Sequence, residues 1–292
     1  MSHRESFRST AEGGLNFELY PMKLWQKAKK FGIWDPRAVD FSEDRRDWEG
    51  FSRLEREVLL HLTSLFLGGE ESVTLDLLPL IATVARENRL EEEMYLTSFL
   101  WEEAKHVEAF RCFLDEVCEE SSDLSRFHGP FYEMLFHQEL PTAMGRLWSD
   151  SSPVALAEAS VTYNLIVEGV LAETGYEAYF SMLEANDVLP GMRQIVGKLK
   201  QDESRHLAYG VYLLSRLVAE HGEEVWTAIE ARMNYLLPVA LGLIQEMFDC
   251  YEELPFGLKI ETFVGFATQQ FQKRYQRVEK ARKQTLEEVM GM

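Results

Sequence analysis

Two copies of one short pattern, Glu103-Ala-Lys-His106 and Glu203-Ser-Arg-His206, set a carboxylate and an imidazole three residues apart. In an α-helix, residues three apart share a face, so each copy can offer one oxygen and one nitrogen to a common ion. Each copy follows a glutamate embedded in an apolar stretch. These are Glu70 in Leu-Phe-Leu-Gly-Gly-Glu-Glu-Ser-Val and Glu168 in Asn-Leu-Ile-Val-Glu-Gly-Val-Leu, at nearly equal separations of 33 and 35 residues. Six ligand-type side chains in two matched halves predict a dinuclear metal site. An oxygen-rich donor set with one imidazole per ion suits iron and manganese, and the lack of thiolate disfavours structural zinc.

Each residue has a blander use. A single Glu-x-x-His on a helix is common by chance, a buried glutamate pairs with arginine or lysine as readily as with a metal, and a core histidine is satisfied by a backbone carbonyl. The duplication carries the weight. Glu71 competes with Glu70, but Phe66, Glu70, Val73 and Leu77 fall along one stripe, which favours Glu70. Glu173 is the weaker rival of Glu168. Glu102 competes with Glu103, and symmetry with Glu203 selects Glu103. Glu102 is then about 100° around the helix, facing solvent or a neighbour. Asp202, beside Glu203, is a candidate to accept a hydrogen bond from the distal nitrogen of a metal-bound histidine, which would fix its tautomer and basicity.

Long helices must position these groups. Strand signals are nearly absent and 3.6-residue periodicity runs through most of the chain. The pattern predicts helices at roughly 21–31, 53–87, 90–118, 130–148, 153–185, 189–220, 223–252 and 257–286. A polar Asp- and Arg-rich stretch, Trp34 to Gly50, joins the first two. Ser152-Pro153 reads as an N-cap with proline at the first helical position. Asn186-Asp187 ends one helix, Pro190-Gly191 opens the next, and His221-Gly222 closes another. Helices of about 30 residues are about 45 Å long, as a large bundle requires. The expectation is an all-α protein built as a four-helix bundle core with additional helices. No linker divides it, so it reads as a single domain over 1–292 with a polar N-terminal tail of about 1–16. Four carboxylates and two imidazoles on four helices form the dinuclear site of ferritin-like bundles.

Composition narrows the function further. The 292 residues, 46% hydrophobic, supply a sizeable core. A net charge of −19 argues against nucleic acid and anionic membrane as partners. The three cysteines, Cys112, Cys118 and Cys250, lack CxxC spacing and fit a reducing cytosol. The N-terminus shows no apolar secretion segment, and no uninterrupted apolar run reaches the roughly 20 residues of a membrane span. A cytoplasmic protein with no transmembrane segment is the expectation.

Four longer motifs then carry a resemblance: Gly69-Glu-Glu-Ser-Val-Thr-Leu-Asp76, Glu103-Ala-Lys-His-Val-Glu108, Tyr163-Asn-Leu-Ile-Val-Glu-Gly169 and Asp202-Glu-Ser-Arg-His206. The chain resembles the ribonucleotide reductase small-subunit superfamily from about Phe17 to the last helix, and more closely the R2-like ligand-binding oxidases. The resemblance implies a mixed Mn/Fe cofactor, with a di-iron form also compatible. Glu70, Glu103 and His106 would hold the manganese and Glu168, Glu203 and His206 the iron, with Glu103 and Glu203 as candidate bridges. It further implies O2 activation, a long-chain fatty acid reaching the metals, an ether cross-link between Val73 Cβ and the Tyr163 oxygen, and a homodimer. Val73 lies three residues from Glu70 and shares its face. Tyr163 lies five before Glu168, about 140° away on an α-helix, so its side chain must lean toward the site. Phe99, Leu171, Leu213 and Leu214 are candidates to line the lipid tail. Many reductase subunits have Asp where this chain has Glu70, and they end in a tyrosine-bearing tail, whereas here Tyr275 is the last tyrosine. Both features favour the oxidase over a radical-generating reductase subunit, and an iron-storage cage is the third alternative.

Overall fold

The computed structural model describes residues 6–292, which form helices and connecting turns with no strand among the described residues. The helices are α1 (Tyr20–Phe31), α2 (Ser42–Gly50), α3 (Arg53–Asp76), α4 (Leu78–Arg86), α5 (Leu90–Phe113) and α6 (residues 130–146). They continue with α7 (Pro153–Asn186), α8 (Pro190–His221), α9 (Glu223–Asp249), α10 (Ile260–Glu279) and α11 (Leu286–Met290). Four of them, α3, α5, α7 and α8, carry the six candidate ligands. α3 packs on α5, α7 packs on α8, and α5 meets α8 across the centre. Around this ferritin-like four-helix bundle, α9 and α10 cover α7, and α1 lies along α5 and α8. Buried side chains from Leu24 to Val289 join one contiguous apolar core.

Local signals explain several helix ends. Ser52 and Glu55 form a capping box at the start of α3, each side chain taking the other's backbone N–H, at 3.3 and 2.7 Å. Ser152 caps α7 by accepting from Ala155 N at 3.2 Å, with Pro153 at the first position. Gly222 closes α8 with a φ of 69°, which a side chain would strain.

Three expectations need correction. The predicted 53–87 helix is two helices broken at Leu77. Pro79 has no N–H to give and its ring crowds the carbonyl four residues back, so the chain restarts. The 257–286 helix is shorter, beginning at Ile260 and giving way to a 3-10 turn at Lys280–Lys283. The polar stretch 34–50 contains α2, whose role is to cap another helix. Asp44, fully buried, accepts from Gly191 N at 2.9 Å and Met192 N at 2.8 Å, and Asp47 accepts from Leu189 N at 2.7 Å. These N–H groups open α8, which has no capping side chain of its own.

One helix comes nearer to a membrane span than its apolar runs suggested. Pro153–Asn186 is long and apolar enough by length and composition, but its most apolar window is 83% buried inside the protein and includes Glu168. It is the central helix of the core. Of the expected N-terminal tail, residues 1–5 lie outside the described residues. Beyond them, the Arg8 guanidinium and Asn16 N both donate to Glu91, each at 3.1 Å.

Replacing Asp44 with Ala leaves two buried N–H groups of α8 without an acceptor. We expect a loss of about 1–2 kcal/mol, read as a lower urea midpoint at unchanged slope. An unchanged midpoint would contradict the capping role of α2.

Candidate metal centre

Glu70 on α3, Glu103 and His106 on α5, Glu168 on α7, and Glu203 and His206 on α8 converge in the bundle centre, none more than 5% exposed. His106 Nδ1 lies 3.2 Å from Glu70 Oε2, 3.5 Å from Glu103 Oε2 and 3.4 Å from Glu203 Oε1. His206 Nδ1 lies 3.1 Å from Glu103 Oε1, 3.5 Å from Glu203 Oε2 and 3.9 Å from Glu168 Oε1. Two nests of donor atoms result, one from Glu70, Glu103, His106 and Glu203, the other from Glu103, Glu168, Glu203 and His206. Glu103 and Glu203 belong to both. The rivals fall away: Glu71 is exposed, and Glu173 pairs with Arg274.

The residues fit two cations. Donors about 2 Å from a shared ion stand about 3 Å apart, close to the separations here. Glu168 Oε1, Glu203 Oε2 and His206 Nδ1 are buried without a hydrogen-bond partner. Leaving such atoms unpaired is costly, and all three belong to the second nest, where an ion would satisfy them together.

A second layer holds the histidines, and it is crossed between the halves. His106 Nε2 faces Asp202 Oδ2 at 3.3 Å, and His206 Nε2 faces Glu102 Oε2 at 2.9 Å. Each imidazole is thus braced by a carboxylate from the other half. Glu102, expected toward solvent or a neighbour, is fully buried, because symmetry gives it the role that Asp202 has. The Lys105 ammonium donates to Asp202 at 2.8 Å and to Gly32 O at 2.6 Å, and Arg205 donates to Glu102 at 2.6 Å and to Asp202. The Trp34 indole N–H also donates to Asp202, at 2.9 Å. Both copies therefore read acid–Glu–x–base–His, and that fuller spacing was the signal for the second layer. Gly32 permits it: a Cβ there would lie 1.9 Å from Glu102 Oε1.

Electrostatics follow from burial against charge. Burial pushes the Glu70 and Glu168 carboxyls well above the usual range, and neighbouring carboxylates add to the rise. Burial acts the same way on Glu103, but the His206 and His106 imidazoles outweigh it and hold Glu103 well below. For both histidines burial favours the neutral ring. The surrounding carboxylates, Glu70 foremost for His106 and Glu203 for His206, reverse this and raise them.

Three further side chains hydrogen-bond to the ligands. The Tyr163 hydroxyl donates to Glu103 Oε1 at 3.3 Å. Its position depends on backbone that the sequence did not announce. Residues Val161–Ala172 form a π-helix, whose i→i+5 bonding brings residues five apart onto the same side, so Tyr163 and Glu168 both face the site. Within that segment Asn164 donates to Glu168 at 3.0 Å and accepts from Ser160 at 2.9 Å. Tyr176, one hundred and six residues from Glu70, donates to Glu70 Oε1. Nothing in its local sequence marks that role.

Beside the nests lies an apolar cavity, part of it open to solvent, with Glu70, Glu103, Glu168 and Glu203 in its wall. Val73 and Leu171 line it, with Met247 and Phe248 from α9 and Phe263 from α10. Of the proposed tail-lining residues only Leu171 is there. Phe99 instead stacks on His206 with ring centroids 3.7 Å apart, and Leu213 and Leu214 are packed in the core. No Lys, Arg or His lines the cavity.

Residues 20–274 match the family described as ribonucleotide reductase, small chain. The solved structure of an R2-like ligand-binding oxidase from Sulfolobus acidocaldarius shares 40% identity and a TM-score of 0.89, covering 98% of each chain. An R2-like ligand-binding oxidase with aerobically reconstituted Mn/Fe cofactor shares 34% identity and a TM-score of 0.90, over 94% of this chain and 98% of that one. A variant with anaerobically reconstituted Mn/Fe cofactor shares 34% identity and a TM-score of 0.88, with the same coverage.

Glu102→Gln and Asp202→Asn each loosen one imidazole, so metal affinity should fall by about 10–100-fold, measured as metal retained after dialysis against graded chelator. Retention equal to wild type in both variants would contradict the crossed bracing. Carboxyls held protonated by burial must release their protons when cations enter. Affinity should therefore rise with pH, and loading in weak buffer should acidify an indicator dye. Loading without proton release would contradict the raised Glu70 and Glu168.

Proposed function

The chain belongs to the ribonucleotide reductase small-chain family and, within it, to the R2-like ligand-binding oxidases, and from that premise we propose an O2-activating oxidoreductase with a dinuclear Mn/Fe centre. The observation that carries this reading is the pair of donor nests sharing Glu103 and Glu203 in the wall of an apolar cavity. Glu70, Glu103 and His106 would hold manganese, Glu168, Glu203 and His206 iron, and di-iron loading is compatible with the same donors. When bound, the metal pair supplies electrons to O2 and the oxidising power to remove hydrogen from a C–H bond.

The chain's own residues prepare the site. The crossed carboxylates Asp202 and Glu102 orient the imidazoles. The apolar wall lowers the local dielectric, which strengthens the charge interactions beside it. Val73, in the cavity wall beside Glu70, offers a tertiary Cβ–H, more easily removed than a methyl hydrogen. Tyr163, hydrogen-bonded to Glu103, offers a phenol oxygen beside the same ligand set. Joining them breaks the Val73 Cβ–H and Tyr163 O–H bonds and forms one C–O ether bond. Two protons and two electrons leave, with O2 as the acceptor.

The cavity favours a long-chain fatty acid. Its wall is apolar apart from the metal-site carboxylates and a few small polar groups, and it offers no cationic side chain. An acyl carboxylate entering it finds compensation at the metals alone, while its tail replaces water along apolar side chains. We read the chain as one domain because its core is contiguous, as a homodimer by family resemblance, and as cytoplasmic from its free cysteines. The second reading, a radical-generating small subunit, is favoured by the family match over residues 20–274. Specific capture of a reductase large subunit would support it, and iron storage would require a many-subunit cage.

Intact and peptide mass spectrometry before and after aerobic Mn/Fe loading tests the oxidase reading. Loss of two hydrogens with the Val73 and Tyr163 peptides joined is expected, and an unmodified mass after full loading would contradict it. Val167→Trp fills the cavity wall and should reduce the fatty acid recovered by solvent extraction of the loaded protein. Recovery equal to wild type would place the lipid elsewhere.

A further inference from the structure

One polar atom in the cavity wall is left over once the donor nests are set aside. Glu70, Glu103, Glu168 and Glu203 belong to the nests, and the Tyr132 hydroxyl donates to Leu65 O at 3.2 Å. Thr174 Oγ1 is buried with no hydrogen-bond partner, on a residue 2% exposed. Tyr95 and Ser215 also carry unpartnered buried hydroxyls, but neither lines this cavity. An unpaired hydroxyl in the interior carries a desolvation cost, and valine would fill nearly the same space without it.

The backbone explains why Thr174 is unpaired. Elsewhere in these helices a hydroxyl bonds back to the carbonyl four residues earlier. Ser72 donates to Gly68 O at 2.8 Å, Thr74 to Glu70 O at 2.7 Å, Thr83 to Pro79 O at 2.9 Å and Thr162 to Glu158 O at 2.8 Å. For Thr174 that carbonyl is Val170 O, which receives the Glu173 N–H where the π-helix ends. A hydroxyl that does not turn back onto its own helix, on a residue that lines a cavity, has the cavity as its remaining side.

Thr174 also stands at a boundary. An outer cleft is lined by Thr174, Glu177 and Ser181 of α7, Lys259 of the α9–α10 connection, and Phe263 and Phe266 of α10. Thr174 and Phe263 are in both walls, so they form the neck between the metal-side cavity and the outer cleft. Thr174 is six residues beyond Glu168 on the same helix, no more than about 9 Å along its axis. A long acyl chain with its carboxylate at the metals passes this neck with carbons to spare. The group that meets Thr174 is therefore in the middle of the chain, not at its end.

We propose that the ligand is an oxygenated long-chain acid, with a hydroxyl or keto oxygen in mid-chain, and that Thr174 is the residue that recognises this oxygen. The inference rests on the fatty-acid reading of the cavity and narrows it. The Thr174 hydroxyl donates to the chain oxygen, which parts the neck as the chain threads it. A plain methylene at this height leaves Thr174 unpaired, so the oxygenated chain gains a buried hydrogen bond that the saturated chain lacks. A site with a polar group waiting for a partner rejects the analogue without one.

The test uses full-length protein loaded with Mn/Fe and equilibrated with an equimolar mixture of stearic, 7-hydroxystearic, 10-hydroxystearic and 12-hydroxystearic acid. Bound acids are extracted and quantified by mass spectrometry. Wild type should enrich at least one hydroxy acid over stearic acid by about three- to tenfold, the worth of one hydrogen bond. Thr174→Ser, which keeps the hydroxyl, should retain the enrichment. Thr174→Val should lose it while still taking up stearic acid. Acids bound by wild type in their input ratio, or enrichment that persists in Thr174→Val, would overturn the proposal. If the stearic acid so bound falls in Val167→Trp, the fatty-acid reading stands and only the role of Thr174 fails. No acid bound by wild type would contradict both. A readout independent of variants is the crystal structure with the most enriched acid. The chain oxygen should lie about 2.8 Å from Thr174 Oγ1, and an oxygen placed elsewhere, with water on Thr174, would overturn the assignment.

Discussion

The constraint on which this structure turns is buried negative charge. Glu70, Glu103, Glu168 and Glu203 lie within a few ångströms of one another in the bundle centre. Four carboxylates cannot remain ionised there unaided, because desolvation and mutual repulsion both oppose it. Two divalent cations bring the sum to zero. The surrounding layer closes its own account separately, with Glu102 and Asp202 facing Lys105 and Arg205. Neutralising the charge layer by layer is how an acidic protein can bury so many acids in one place.

The fold serves that arrangement in several ways. Glu103 with His106, and Glu203 with His206, lie one turn apart on rigid helices, so each pair is placed by helix geometry. The crossed hydrogen bonds tie α5 to α8, and α2 fixes the start of α8 through Asp44. Gly32 lets the α1 end approach close enough for its carbonyl to receive Lys105. The π-helical part of α7 rotates Tyr163 onto the Glu168 side. π-segments are uncommon, and their concentration at functional sites fits one here.

What could be read in the sequence was whatever depends on regular helix spacing. The two Glu-x-x-His pairs, the stripe of Phe66, Glu70 and Val73, and the choice of Glu70 over Glu71 all follow from 3.6-residue periodicity, and the all-α bundle follows from its extent. What could not be read departs from that spacing or joins distant segments. Tyr163 seemed 140° away because the π-helix was invisible, and Tyr176 reaches Glu70 across more than a hundred residues. Glu102 was present in the pattern but set aside as a losing rival, when the pattern had a second role for it. The Asp-rich 34–50 stretch resembled a connector because its acids cap another helix and do not build an apolar face.

The central claim is that these six side chains hold two metal ions sharing Glu103 and Glu203. Anomalous diffraction from crystals of Mn/Fe-loaded protein, recorded on both sides of the manganese and iron absorption edges, tests it most directly. The account predicts two peaks in the bundle centre, one bound by Glu70 and His106 and the other by Glu168 and His206, with Glu103 and Glu203 between them. A single peak, or metal bound away from these residues, would contradict it.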